Sequence, residues 1–354
     1  SEMNIVFRVD SSTEMGVGHL MRCLTLAGEF QNKNHKVTFI CRELQGNIIN
    51  LIRHKVISLL VNSDFWSDDL YLGLLGVTQE QDAEQVIKVI PKNTDLLIVD
   101  NYALDEMWHK KLRQYTDKII VIDDLANKKF DCDILLNQNL GSQVESYMGK
   151  VPNNCELLLG CDYALLRPEF KKLRERALEK RKNTKNIKNI LISMGGSDIK
   201  NITYDILQQL DSNFNVVVVL GSTSPHNAMI ENYVKNKNIK VIVNAKNMAE
   251  LMLEADLSIG ASGSTNWERL CLGLPSLIFT VAENQIKFSK ILDELGLIKL
   301  LGHVGDGKVV DMVKKSILSI DDLSAWSERC FNSCSCDGTS KVVDIITSKP
   351  VQVI

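Results

Sequence analysis

Phe7-Arg8-Val9-Asp10-Ser11-Ser12-Thr13-Glu14-Met15-Gly16-Val17-Gly18-His19-Leu20-Met21-Arg22-Cys23 is the stretch that decides the fold. The apolar run Ile5-Val6-Phe7 leading into it reads as a short buried strand. A polar turn follows from Asp10 to Glu14, and Gly16 and Gly18 let the backbone approach a ligand closely. His19 opens an amphipathic helix with Leu20, Cys23, Leu24 and Ala27 on one stripe. A strand, a glycine turn and a helix in that order form the unit of a parallel α/β sheet. His19 then stands at the positive end of a helix dipole, beside free backbone N–H groups that suit an anion. That position disfavours imidazolium, so a neutral histidine able to accept a proton is expected. The competing reading is a structural histidine satisfied within the turn.

Working outward, the first half repeats the same unit. Strand-like runs occupy Asn4–Val9, Lys36–Cys41, Lys55–Val61, Asp95–Asp100, Lys118–Asp123 and Asp133–Asn137. Helical patterns lie at Leu20–Gln31, Asp82–Ile90 and Asp105–Tyr115. Four strands end in polar tips: Asp10, Asp100-Asn101-Tyr102, Asp123-Asp124 and Asn137-Gln138-Asn139. Ligands of open α/β sheets bind outside the carboxyl ends of strands, so these tips are expected to converge on one crevice.

The segment Pro168–Asn189 carries nine Lys or Arg among Glu and Asn. A solvated helix with a linker is the expectation there, with a phosphate-binding patch as the alternative. The theme then restarts. Strand-like runs fall at Ile187–Met194, Asn215–Leu220, Ile239–Asn244, Leu257–Gly260 and Ser276–Thr280. Helices fit Asn201–Leu210, His226–Asn236, Met248–Glu254, Asn266–Leu272 and Asn284–Leu295, and a helical segment near Asp321–Phe331 closes the chain.

Two turns of this half can hold phosphate. Gly195 and Gly196, in Ser193-Met194-Gly195-Gly196-Ser197-Asp198, free backbone N–H groups that can cradle an anion. Gly260-Ala261-Ser262-Gly263-Ser264-Thr265-Asn266-Trp267-Glu268 is another strand-to-helix turn, with hydroxyls for a diphosphate. Ser264 and Glu268 share a helix face, and a carboxylate placed there can accept hydrogen bonds from a ribose diol. Alternatively, Thr265 and Glu268 form a capping box. Glu283-Asn284-Gln285 follows another strand and brings amides near a base or phosphate, or else simply starts a helix.

The totals narrow the classes. The chain has 354 residues, enough for two domains, with 45% hydrophobic and 24% charged residues, a soluble globular profile. A net charge of -3 gives no case for nucleic acid or an anionic membrane as partner. No apolar run reaches the length of a membrane-spanning helix, no signal peptide is evident, and Ser1-Glu2-Met3 reads as a cloning remnant. Nine scattered cysteines suit a reducing cytoplasm. Cys330, Cys334 and Cys336 lack a neighbouring fourth ligand, so free thiols are expected in place of a metal site.

Taken together, these motifs resemble nucleotide-sugar enzymes of the GT-B type. The second half is similar to the UDP-binding half of the N-acetylglucosaminyltransferase of peptidoglycan synthesis. From Phe7 to about Lys341 the chain resembles the UDP-sugar hydrolases of pseudaminic acid biosynthesis. The likeness is carried by F-R-x-D and G-x-G-H-x-x-R-C at Phe7–Cys23, V-D-x-Y at Val99–Tyr102, I-D-D-L-A at Ile122–Ala126, L-L-N-Q-N at Leu135–Asn139 and Y-A-L-L-R-P-E-F at Tyr163–Phe170. S-M-G-G-S-D, G-A-S-G-S-T-x-W-E and E-N-Q continue it. Asp337-Gly338 is followed by Lys341, where that motif more often carries arginine.

The resemblance implies an α/β, GT-B-like fold with two facing Rossmann-like domains, residues 3–167 and 168–354, and a deep interdomain cleft. It implies that His19 is the catalytic base in hydrolysis of UDP-2,4-diacetamido-2,4,6-trideoxy-β-L-altropyranose, by water attack at the anomeric carbon with inversion. Asp10 either orients His19 or caps its own turn. Arg8, Gly16, Gly18, Arg22, Asn101, Tyr102 and Arg167 are the expected substrate contacts beside the sugar. Gly195, Gly196, Ser264, Glu268 and Asn284 are expected on UDP. No cofactor or metal is needed, and a cytoplasmic monomer acting on a small-molecule UDP-sugar is expected. A glycosyltransferase, a UDP-sugar 2-epimerase and a non-catalytic UDP-sugar binding protein are the rivals.

Overall fold

The computed structural model describes residues 1–196, 198–307 and 309–348. Ser197 of the double-glycine turn and the tail at 349–354 lie outside the described residues. The chain divides into two compact units: Ser1–Leu165 together with the segment from Asp337 onward, and Leu166–Cys336.

In the first unit seven strands form one sheet: β1 (Asn4–Val9), β2 (Lys36–Arg42), β3 (Lys55–Leu59), β4 (Leu96–Asp100), β5 (Lys118–Ile122), β6 (Ile134–Asn137) and β7 (Glu156–Leu159). All pairs are parallel, in the order β3-β2-β1-β4-β5-β6-β7. The second unit repeats the plan with β8 (Asn189–Ser193), β9 (Asn215–Leu220), β10 (Ile239–Val243), β11 (Leu257–Ala261), β12 (Ser276–Thr280) and β13 (Lys299–His303). Its order is β10-β9-β8-β11-β12-β13, again parallel. Both sheets therefore reverse strand order beside their first strand, the doubly wound arrangement that puts ligands at strand carboxyl ends. β7 and β13 were not anticipated from the sequence. Each is an outermost strand whose short leucine run carries no β-branched residue, so it lacks the strand signal the other short strands show.

Five helices matter for the argument: α1 (Gly18–Asn32), α2 (Gln79–Val89), α3 (Pro168–Asn183), α4 (Thr265–Cys271) and α5 (Gly338–Thr347). α1 buries Leu20, Cys23, Leu26, Ala27 and Phe30 on one face of the first sheet, against Phe7 and Phe39. α5 follows the segment expected to close the chain and was expected within the second domain. Its stripe Val342, Val343 and Ile346 instead joins the core under α1, and so the terminal helix belongs to the first unit. Gly338 starts it where a Cβ would lie 2.3 Å from the Ala164 carbonyl oxygen, so only glycine fits.

α3 is less solvated than its charge suggested. The Arg181 guanidinium is buried and donates to the carbonyls of Met252, Ala255 and Leu272. Arg174 donates to those of Cys271, Phe331 and Cys334. These cations satisfy carbonyls left open where helices end. The thiol expectation is also corrected: Cys336 forms a disulfide with Cys271, with Cα atoms 5.8 Å apart, while Cys330 is a buried free thiol.

Beneath the carboxyl edge of the first sheet lies a closed charge cluster. Asp82 of α2 accepts from Arg8 at 2.6 Å, from Arg42 at 2.8 Å and from the Trp108 indole at 2.9 Å. Arg8, Arg42 and Asp82 have no solvent exposure. Burial alone would raise the Asp82 carboxyl, but the two guanidinium groups outweigh it and hold it below the usual range. Truncating Asp82 leaves two buried cations short of a counter-charge, which costs more than the pair itself gives. Asp82→Ala should destabilise the first unit by about 3–5 kcal/mol, read as a lowered urea midpoint.

Candidate active site

The carboxyl tips of β1, β4 and β5 meet the start of α1. β1 runs into a loop closed by the Ser12–Gly16 bridge, with Gly16 at φ +84°. His19 is the second residue of α1 and one of the first-turn residues whose backbone N–H has no intrahelical acceptor. Its Nδ1 lies 2.7 Å from Oδ1 of Asp100, the last residue of β4. Arg22, one turn further along α1, donates to both Asp100 oxygens at 2.6 and 2.8 Å and to both Asp124 oxygens at 3.1 and 2.8 Å. Tyr102 donates to Asp124 at 2.6 Å and sets its ring edge-on to His19, centroids 4.6 Å apart. Asn139 donates to Asp124 at 2.9 Å.

This network selects one form of the imidazole. Burial would push the Asp100 carboxyl up, yet Arg22 and His19 hold it well below the ordinary carboxylate range. An ionised carboxylate only accepts, so Nδ1 of His19 must carry the hydrogen. In the neutral ring Nε2 is then the acceptor, the arrangement of a general base steadied by a buried carboxylate. The His19 side chain keeps 14% exposure, enough for a ligand or water to reach it.

Two expectations are corrected here. Asp10 does not orient His19; Asp100 does. Asp10 is wholly buried, gripped by Arg8 at 2.6 and 3.0 Å, by the Arg42 backbone N–H at 2.7 Å and by Asn101 at 3.4 Å. Arg8 is equally enclosed, its guanidinium spent on Asp10 and Asp82, so it cannot meet a substrate. Of the other expected residues in this unit, Arg22 and Tyr102 meet His19 or Asp100, Gly16 and Gly18 precede His19 in the loop, and Asn101 turns to Asp10 and the Ala103 N–H. Asp100, Asp124 and Asn139 were noticed only as polar tips. Their roles depend on pairing across strands that are far apart in sequence.

The second unit carries its own concavity, a cavity of about 530 Å³ at the carboxyl ends of β8, β11 and β12. Gly195, Gly196, Ser264 and Thr265 line it. Gly195 and Gly196 take φ +65° and +51°, the left-handed region that glycine enters without strain. At Gly260 a Cβ would sit 2.4 Å from the Ser193 carbonyl oxygen, so β11 and β8 approach closely only because this residue is glycine. Behind the turn, Ser262 bonds Ser289 at 2.6 Å and accepts from Asn266 at 2.9 Å, and Arg269 donates to Asn266 at 2.7 Å.

Glu268 is not engaged in a cap: Ser264 begins α4 without a side-chain hydrogen bond. Its carboxylate lies 3.5 Å from Arg167, and burial raises its pKa against the pull of Arg167 and Arg269. Arg167 also pairs with Glu169 at 3.1 Å. Asn284 is exposed and does not line the cavity, whereas its neighbour Gln285 does, locked by the Val281 and Ala282 backbone N–H groups. His303, bonded to Thr280 at 2.8 Å, lines it too and had no sequence signal because β13 was not foreseen.

Residues 169–296 match the glycosyltransferase family 28 C-terminal domain. The crystal structure of MurG from Acinetobacter baumannii superposes with a TM-score of 0.67, covering 97% of this chain and 99% of that one at 14% identity. Two parallel Rossmann-like units with these matches define a protein of the GT-B fold.

Among sequence relatives, an uncharacterised protein of Methanocaldococcus jannaschii is 32% identical over 294 residues, 80% of this chain and 57% of that protein. The UDP-2,4-diacetamido-2,4,6-trideoxy-β-L-altropyranose hydrolase of Campylobacter jejuni is 32% identical over 267 residues, 75% of this chain and 87% of that enzyme. The chain belongs to the family of that hydrolase.

The depressed Asp100 carboxyl carries a pH signature. A carboxylate held low in the folded chain stabilises it fully above the unfolded value and loses that effect as pH falls through the folded one. Asp100→Asn should therefore be less stable than the parent at pH 7. The gap should narrow as pH drops below about 4. Urea unfolding at pH 7, 5 and 3.5 measures it.

Proposed function

We propose that this protein hydrolyses a UDP-linked diacetamido-trideoxyhexose, releasing UDP and the free sugar. The observation that carries the reading is the Asp100–His19 pair at 2.7 Å, with Arg22 fixing the carboxylate. Family membership supports the same chemistry, because the C. jejuni relative is named for it.

In this reading Nε2 of His19 takes a proton from water as the water oxygen bonds the anomeric carbon. The bond from that carbon to the diphosphate oxygen breaks on the opposite face, so the product is inverted. The departing UDP gains negative charge, which suits the backbone N–H groups around Gly195, Gly196 and Ser264. Glu268 accepts from the ribose hydroxyls. Gly16 and Gly18 let the α1 loop lie against the sugar and diphosphate, with Tyr102 beside the ring. Arg22 acts through Asp100, as a positioning residue, and Asp10 braces the β1 tip from within.

The match of residues 169–296 to a glycosyltransferase domain favours one second reading, transfer of the sugar to a hydroxyl acceptor in place of water. Turnover that requires an added acceptor would establish it.

Mass spectrometry of products formed in oxygen-18 water should find the label on the sugar, and proton NMR should show the inverted anomer first. His19→Gln should lower kcat by about 10³-fold or more while UDP affinity stays within about twofold. Label on UDP would mean attack at phosphorus in place of the anomeric carbon, and normal turnover by the variant would remove His19 from the chemistry. Glu268→Ala should weaken UDP binding by about 1–3 kcal/mol in calorimetry, since it deletes a charged hydrogen-bond acceptor.

A further inference from the structure

Between β3 and α2 the chain exposes more apolar surface than a turn needs. Leu60, Val61, Trp66 and Leu70 are all exposed, with Trp66 at 80%. Of the four tryptophans in the sequence, the other three are buried. An aromatic left in water at a strand's carboxyl end costs solubility and brings no packing, so it calls for an occupant.

The loop is not loosely hung. Arg42, from the buried Asp82 cluster, donates to the Leu60 carbonyl and pins the loop's start. Asn62 accepts from the Asp64 N–H at 3.1 Å, and Ser67 accepts from the Asp69 N–H at 3.1 Å. Asp69 then caps the short helix Leu70–Leu75 through the Tyr71 and Leu72 N–H groups, both at 3.0 Å. Tyr71 sets its ring edge-on to Tyr102 with centroids 5.4 Å apart, and Tyr102 is in turn edge-on to His19. The loop that carries Trp66 thus runs into a helix whose Tyr71 is linked, ring by ring, through Tyr102 to His19.

The geometry points to the loop of residues 60–72 as the sugar-recognition element, with Trp66 and Tyr71 meeting the apolar parts of the hexose. This rests on the nucleotide-sugar reading and sharpens it. A 2,4-diacetamido-2,4,6-trideoxy sugar has lost three hydroxyls; it carries a methyl at C6 and two acetamido methyls. Such a ring gains more from aromatic contact than a fully hydroxylated hexose, whose polar groups would be left without partners against Trp66. The loop therefore also supplies discrimination against common UDP-hexoses.

Trp66 reports on its own occupancy. In the His19→Gln protein, acrylamide quenching of tryptophan fluorescence samples mainly Trp66, and Trp66→Phe should abolish the quenchable component. UDP-2,4-diacetamido-2,4,6-trideoxy-β-L-altropyranose should reduce the quenching constant by about threefold or more, because pockets cover most of a ligand's surface. UDP alone should leave it unchanged. In the active chain, Trp66→Ala should raise KM by about tenfold with kcat little altered. Should calorimetry show the nucleotide sugar bound while Trp66 stays fully quenchable, the loop assignment falls and the hydrolase reading stands. Should no binding occur, both fall. Shielding without ligand that grows with protein concentration would assign the surface to a second copy of the chain and overturn the proposal.

Discussion

One guanidinium holds the first unit's site together. Arg22 reaches from α1 to Asp100 at the end of β4 and to Asp124 beyond β5, with four hydrogen bonds between 2.6 and 3.1 Å. Removing so many charges from water is expensive, and the arrangement survives because each charge faces its opposite in fork geometry. The return is specificity of placement. Asp100 is fixed by Arg22 and keeps a lone pair on Oδ1 for the hydrogen on Nδ1 of His19. Asp124 is fixed by Arg22 and then receives Tyr102 and Asn139. A lysine ammonium could bridge two carboxylates but has no planar fork with which to pair bidentately and set the angle between them.

The two units solve related problems with different materials. In the first, side chains that can move protons and hold charge crowd the strand tips, and a second buried cluster around Asp82 keeps the strands beneath them in register. In the second, the working surface is largely backbone: the Gly195-Gly196 turn, the close β8–β11 approach permitted by Gly260, and the start of α4. Oriented N–H dipoles stabilise an anion without titrating, whereas a proton acceptor must be a side chain. The polar layer of Ser262, Asn266, Ser289 and Arg269 supports that backbone from behind, as a supporting shell of hydrogen bonds should.

Much of this was legible in the chain itself. The strand–glycine–helix unit around Gly16-Val17-Gly18-His19 and its restart at Ser193–Asp198 require only local periodicity and glycine. They determined a twofold α/β protein with polar strand tips. Edge strands β7 and β13 escaped because their leucine runs, without a β-branched residue, carry no strand signal, and α5 was placed in the wrong unit because its apolar stripe carries no record of which core it joins.

What tertiary structure alone decided is partnership. Asp10 and Asp100 look alike in sequence, each a carboxylate ending an apolar strand. Arg8, two residues before Asp10, captures it and turns it inward, while Arg22 turns Asp100 toward His19. Both outcomes depend on strand order, which places β4 beside β1 although the two are some ninety residues apart. Local sequence sets the kinds of group at each tip; the sheet's pairing order sets which of them meet, because a hydrogen bond depends on distances of a few tenths of an ångström that no spacing along the chain encodes.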